Sequence, residues 1–194
     1  MKRETSEGQK REDLRVRKSI RSIRGAFWDL MAREGFDAMT VAQIISEAEI
    51  GRSTFYAHYQ DKFDLLDREE AALLEGLERA ALGDGDALSP FHEHLLRLLG
   101  YFRENGRHFV LLVRDGGDPS FRQKLYVALH DVAEAHQAAA RLGVPDRYLI
   151  AAASGMMTSV IVEWVSSGMR ESDEELASII DTLVGPTASV LSGR

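Results

Sequence analysis

The 194-residue chain contains no cysteine, which excludes disulfide frameworks, thiolate nucleophiles, zinc ribbons and iron–sulfur ligation. Four prolines and sixteen glycines are too few for a collagen-like or linker-like chain. No stretch approaches the roughly 18 apolar residues of a membrane span, and the charged N-terminus lacks the apolar core of a signal peptide. The expectation is a soluble, cytoplasmic protein without membrane association. Alternating apolar–polar runs and repeats of fixed period are missing too, which argues against strands and solenoids.

Catalytic signatures are equally scarce. Ser154-Gly155 lacks the flanking glycines of a nucleophile elbow, and neither a phosphate-cradling glycine loop nor HExxH is present. Asp84 and Asp86 lie in a glycine-rich loop without calcium-loop spacing after them. Glu69-Glu70 reads as helix surface, and Glu174-Glu175 as a capping first turn. His92 and His94 are two residues apart, roughly 200° around a helix, and His130 and His136 are no better placed for a shared metal. These histidines read as solvated or capping. No catalytic residue, cofactor or metal is expected.

The net charge of −7 is unevenly spread. Residues 1–25 hold nine basic side chains, among them Lys2, Arg3, Lys10 and Arg11, against four acids; residues 63–194 hold twelve against twenty-one. A basic head on an acidic body suggests a polyanionic partner for the head. Lys2, Arg3, Lys10 and Arg11 are expected to form a mobile arm that adds electrostatic affinity, with the minor groove as its target.

Apolar spacings of three and four predict helices almost throughout. From about Glu12 to Arg33, Ile20, Ile23, Phe27 and Leu30 form a core stripe beside a basic one of Arg17, Arg21 and Arg24, and Gly35 follows as a left-handed stop. Thr40 and Gln43 have the spacing of a capping box, with Met39 as a staple. A short helix follows with Val41, Ile44, Ile45 and Ala48 inward. Glu49-Ile50-Gly51 turns the chain into a second short helix, about Arg52 to Tyr59, with Phe55 and Tyr59 inward. Longer helices are predicted over 61–82 (holding Phe63, Leu65, Leu66, Leu73 and Leu77), from Ser89-Pro90 to about 104, and over 107–113. The last three run from 118 to about 142, over 146–167, and from the Ser172–Glu175 capping box to 191.

Two short helices joined by a three-residue turn and preceded by a basic helix have the organisation of a helix-turn-helix DNA reader. The second helix would present Arg52, able to bind guanine bidentately, with Ser53 and Thr54 for bases or phosphates. The run TVAQIISEAEIGRSTFYAHYQDKFDLL, residues 40–66, resembles the DNA-binding signature of the TetR family of transcriptional regulators. Thr40, the turn after Ala48, Tyr56, Tyr59 and Lys62 fall at the family's spacing. The resemblance covers about residues 10–66. It implies DNA contacts by Thr40, Arg52, Ser53, Thr54, Tyr56, His58 and Lys62, with Thr40 and Lys62 on phosphates. Glu49 stands where the family usually has a glycine of positive φ, and Gly51 is a candidate to absorb part of the bend.

The expected architecture is all-α, with a three-helix head over 1–62 and a larger helical effector-binding and dimerisation domain over 63–194. The resemblance implies a homodimer through the last two long helices, 146–167 and 173–191, where Ala151–Gly155 permits close approach. It also implies a pocket for a small molecule in the body. Phe91, Phe102, Phe109, Tyr126, Met156 and Trp164 are its candidate lining, and their character suits an apolar or aromatic effector. The expected function is a ligand-released dimeric repressor on a pseudo-palindromic double-stranded operator. The alternative is a constitutive DNA-binding dimer without an effector.

Overall fold

The computed structural model describes residues 2–83, 91–135 and 145–191, with side chains described outside 2–13, 91, 133–135, 146, 149 and 184–191. Among these residues nine helices and no strand occur. They are α1 (Lys2–Glu34), α2 (Val41–Glu47), α3 (Arg52–Tyr56), α4 (Lys62–Leu82), α5 (Phe91–Glu104), α6 (Gly106–Val113), α7 (Phe121–Ala135), α8 (Asp146–Ser166) and α9 (Asp173–Leu191). The chain divides into two compact units, Met1–Glu70 and Ala71–Arg194, with the boundary inside α4. The predicted loop at 84–86, the Ser89-Pro90 start and His136 lie outside the described residues.

The first unit has the expected all-helical head. Ile23, Phe27, Leu30, Ile44, Ala48, Phe55 and Tyr59 are buried together with Trp28, Met31, Phe36 and Met39. Phe27 meets Trp28 edge-on at 5.1 Å between ring centroids, and Phe55 packs against Tyr59 at 5.7 Å. Lys62 lies on the 36–39 loop and Glu69 on Arg24 and Trp28, so α1 runs antiparallel to the start of α4.

Two expectations fail at the N-terminus. α1 begins at Lys2, not near Glu12, because residues 2–11 are mostly straight-chain Lys, Arg, Glu and Gln, all strong helix formers without a proline. Lys10 and Arg11 therefore belong to a helix rather than a loose arm. At about 1.5 Å per residue they stand on the order of 35 Å from the end of α1 that leads to Thr40.

α4 brings a further correction. Its inward stripe runs Leu66, Glu69, Glu70, Leu73 and Leu77, so the two glutamates read as surface are buried, Glu69 to 4% exposure. Glu69 is partnered by the Trp28 indole N–H at 2.8 Å and Arg24 Nε at 2.6 Å. Phe63, read with the apolar positions of this helix, stands two residues before Leu65 on the opposite face and is 58% exposed.

In the second unit α7 packs on α8, and α5 on α9. Its core is aromatic and leucine-rich. Phe102, Phe109 and Phe121 meet in sequence as tilted rings, with centroids 4.5 and 5.9 Å apart. Tyr101 donates its hydroxyl to the Leu73 carbonyl at 2.9 Å, an approach possible because Gly76 has no Cβ to block the ring. The Ser172–Glu175 capping box forms as read. His94, read as solvated or capping, is instead buried within this unit, and His92 faces Asp181 at 2.9 Å.

Candidate nucleic-acid interface

α2 starts where its capping box dictates. The Gln43 amide donates to Thr40 Oγ1 at 3.3 Å, and the Thr40 amide and hydroxyl both donate to Gln43 Oε1, at 2.8 and 2.7 Å. The helix ends in a Schellman pattern: the Ile50 amide reaches the Ile45 carbonyl and the Glu49 amide the Ser46 carbonyl. This pattern requires a left-handed residue at Glu49, whose φ is +52°. Gly51 absorbs none of the bend; its φ of −75° is ordinary extended backbone at the N-cap of α3.

α3 ends at Tyr56, three residues short of expectation. Asp61 stops the continuation by accepting the Phe63 and Asp64 amides at 2.8 and 2.9 Å, which starts α4. Asp64 reaches back to the Gln60 amide at 2.9 Å and pairs with Arg68 through two nitrogens. The Gln60 amide above all, and Arg68 next, pull the Asp64 carboxyl below its usual range. Arg68 lies over the ring of Tyr59 at 5.3 Å, and burial, with Glu69 second, pushes the Tyr59 phenol up.

This scaffold holds Phe55 inward, so the other faces of α3 point out. Arg52, Ser53 and Tyr56 are exposed, and Thr54 and His58 half-buried. The Arg52 guanidinium lies over the Tyr56 ring at 5.6 Å, a contact that pre-orients a fork suited to guanine. Ala57 is exposed on the same segment.

At the start of α4, the Lys62 side chain turns to the head's own backbone. Its ammonium donates to the carbonyls of Phe36, Asp37 and Met39 at 2.9, 3.1 and 2.9 Å. It also sits over the Phe36 ring at 4.7 Å. All three N–H donors of a lysine are thus engaged within the head.

Of the residues read as pocket lining, Phe102, Phe109 and Trp164 are fully packed core. Trp164 donates its indole N–H to the Glu171 carbonyl at 3.1 Å beneath the Arg103 guanidinium. Tyr126 and Met156 are half-buried, and the Phe91 side chain lies outside the described residues. An open groove of about 300 Å³ runs between α4 and α7, with Leu74, Val127 and Ala128 as its apolar lining; none of the five candidates with described side chains lines it.

No helix among the described residues is long and apolar enough to cross a membrane. Comparison with known proteins follows the same division of the chain. Residues 23–68 match the family described as bacterial regulatory proteins, tetR family, and residues 90–185 a transcriptional regulator C-terminal region of TetR type. A TetR transcriptional regulator from Streptococcus agalactiae 2603V is 26% identical over 89% of this chain and 97% of its own, with a TM-score of 0.69. A regulatory protein of the tetR family from Rhodococcus RHA1 is 18% identical over 89% and 96%, with a TM-score of 0.58. The dihydroxyacetone kinase operon activator DhaS is 18% identical over 90% and 96%, with a TM-score of 0.60. No curated protein matches the sequence. A capped α2, an outward-facing α3 and the two family matches lead to one assignment: the chain belongs to the TetR family of DNA-binding transcriptional regulators.

Proposed function

We propose that this regulator is a cytoplasmic, non-enzymatic repressor that binds a pseudo-palindromic operator as a homodimer and leaves it when a small molecule occupies the second unit. The observation that carries this reading is α3, anchored by buried Phe55 while Arg52, Ser53 and Tyr56 face outward. Arg52, Ser53 and Thr54 read bases; Tyr56 and His58 touch backbone or nearby bases; Thr40 turns its hydroxyl from Gln43 to a phosphate. The 1–62 segment is the DNA-binding domain and 63–194 the regulatory one.

So short a helix covers few base pairs, so useful specificity requires two heads. The dimer surface proposed is α8 with α9. Tyr148, Ile179 and Leu183 are exposed there at 58, 44 and 49%, and among the described residues no other element lies within 4 Å of where a Cβ on Gly155 would stand. The effector is small and apolar or aromatic. Half-buried Tyr126 and Met156 are the accessible members of its proposed lining, and contact with Phe102, Phe109 or Trp164 requires opening their packed cluster.

Selection from random duplexes tests the DNA reading: two-fold symmetric sites are expected, and a monomer or an asymmetric footprint contradicts it. A promoter reporter tests the sign, because DhaS, of the same fold, is an operon activator; expression should fall with the regulator present. Thermal-shift hits from a metabolite library should release bound operator. If none does, the constitutive binder replaces the ligand-controlled one.

A further inference from the structure

We propose that Lys62 is a positioning residue, a tethered cation that fastens the first turn of α4 to the loop delivering Thr40, rather than a phosphate ligand. The inference rests on the DNA-binding reading above. The loop between α1 and α2 leaves carbonyls of Phe36, Asp37 and Met39 with no helix to bond in, and all three converge on one ammonium. A compact –NH3+ with three rotatable donors fits such a cradle; a planar guanidinium fork does not. The faces of Phe36 and Phe63, at 4.7 and 5.5 Å, flank the charge.

The cradle includes the carbonyl of Met39, the residue before Thr40. Thr40 in turn caps α2, and α2 ends in the left-handed Glu49 that sets the entry to α3. Lys62 thereby fixes one end of the segment that presents both Thr40 and α3. A phosphate could take its ammonium only by stripping a carbonyl of its charged donor.

The two roles differ in what salt does. A lysine that neutralises a phosphate contributes about 0.9 to the slope of log affinity against log salt for each head; a lysine bonded to its own loop contributes none. Lys62→Met and Lys62→Arg should each bind selected operator at least about tenfold more weakly, with the wild-type slope retained. Full binding by Lys62→Arg, or a slope reduced by about 0.9 per head in Lys62→Met, overturns the proposal.

Side-chain ammonium NMR on the wild-type protein decides the matter even where a variant fails to fold. The Lys62 signal should be visible in free protein, coupled to the carbonyl carbons of Phe36, Asp37 and Met39, and unmoved when operator is added. A signal that lacks those couplings in free protein, or that becomes coupled to phosphorus on DNA, refutes it. Should the wild-type protein show no sequence-dependent binding at all, the DNA reading fails, while the free-state couplings still test the cradle.

Discussion

Replacing Glu49 by glycine should stabilise the protein, and the turn geometry gives the size of the effect. A side chain held at φ +52° costs about 1–2 kcal/mol against an ordinary helical conformation. Glycine avoids that cost but loses about 0.5–1 kcal/mol more backbone entropy on folding, so the net gain is about 0.5–1 kcal/mol. At a urea m-value of about 1.5–2 kcal/mol/M, the unfolding midpoint moves up by roughly 0.3–0.6 M. Glu49→Ala is the control, since alanine keeps the Cβ and hence the strain, and its midpoint should stay near the wild-type value. Circular dichroism and tryptophan fluorescence during urea titration both report the change, Trp28 being buried in the same unit. The Ile45 and Ser46 carbonyls that fix the turn keep their backbone partners, so sequence preference on DNA should be unaltered. A glycine variant no more stable than the alanine variant would refute the strain argument.

Glu69→Ala should destabilise by about 2–4 kcal/mol, because it strands the Trp28 N–H and leaves a space. Glu69→Gln keeps an acceptor for Trp28 and loses only the bridge to half-exposed Arg24, so it should cost less than half as much; equal losses in a denaturant titration contradict this partition. Ile179→Asp with Leu183→Asp should give a helical monomer in analytical ultracentrifugation, whereas a surviving dimer removes α9 from the interface. The depressed Asp64 carboxyl stabilises the head above the ordinary carboxylate range, and this contribution is lost as pH falls through its lower folded value. Asp64→Asn should therefore be less stable near neutrality and converge with wild type in acid, and a constant difference across the titration argues against the linkage.

Most of the head was legible because its signals are local. Thr40 and Gln43 specify a cap at a spacing of three, and Phe55 and Tyr59 share a face by arithmetic alone. Glu49 was readable as a conflict between a turn that needs positive φ and a residue that resists it, and the structure resolves this by accepting the strain. Glu69 and Glu70 were misread because charge suggested surface while position did not; in the stripe 66, 69, 70, 73, 77 both occupy inward places. The partner that makes Glu69 tolerable, Trp28, is 41 residues away, and no local pattern connects the two. Lys62 shows the same limit. Its spacing fits a phosphate contact, but its carbonyl partners lie 23 to 26 residues upstream and carry no side-chain signature. In the second unit, aromatic content could not separate a pocket from a core, and Phe102, Phe109 and Trp164 pack as core.

The most direct test of base reading by α3 compares wild type and Arg52→Ala on a library of every single-base variant of the selected operator. A bidentate guanine contact predicts loss of preference at one base pair, repeated symmetrically in each half-site. That loss should be about 1–3 kcal/mol per contact, with the other positions retaining their profile. A uniform drop in affinity over all sequences, with the wild-type preference intact at every position, would show that Arg52 holds phosphate and that α3 does not read bases through it.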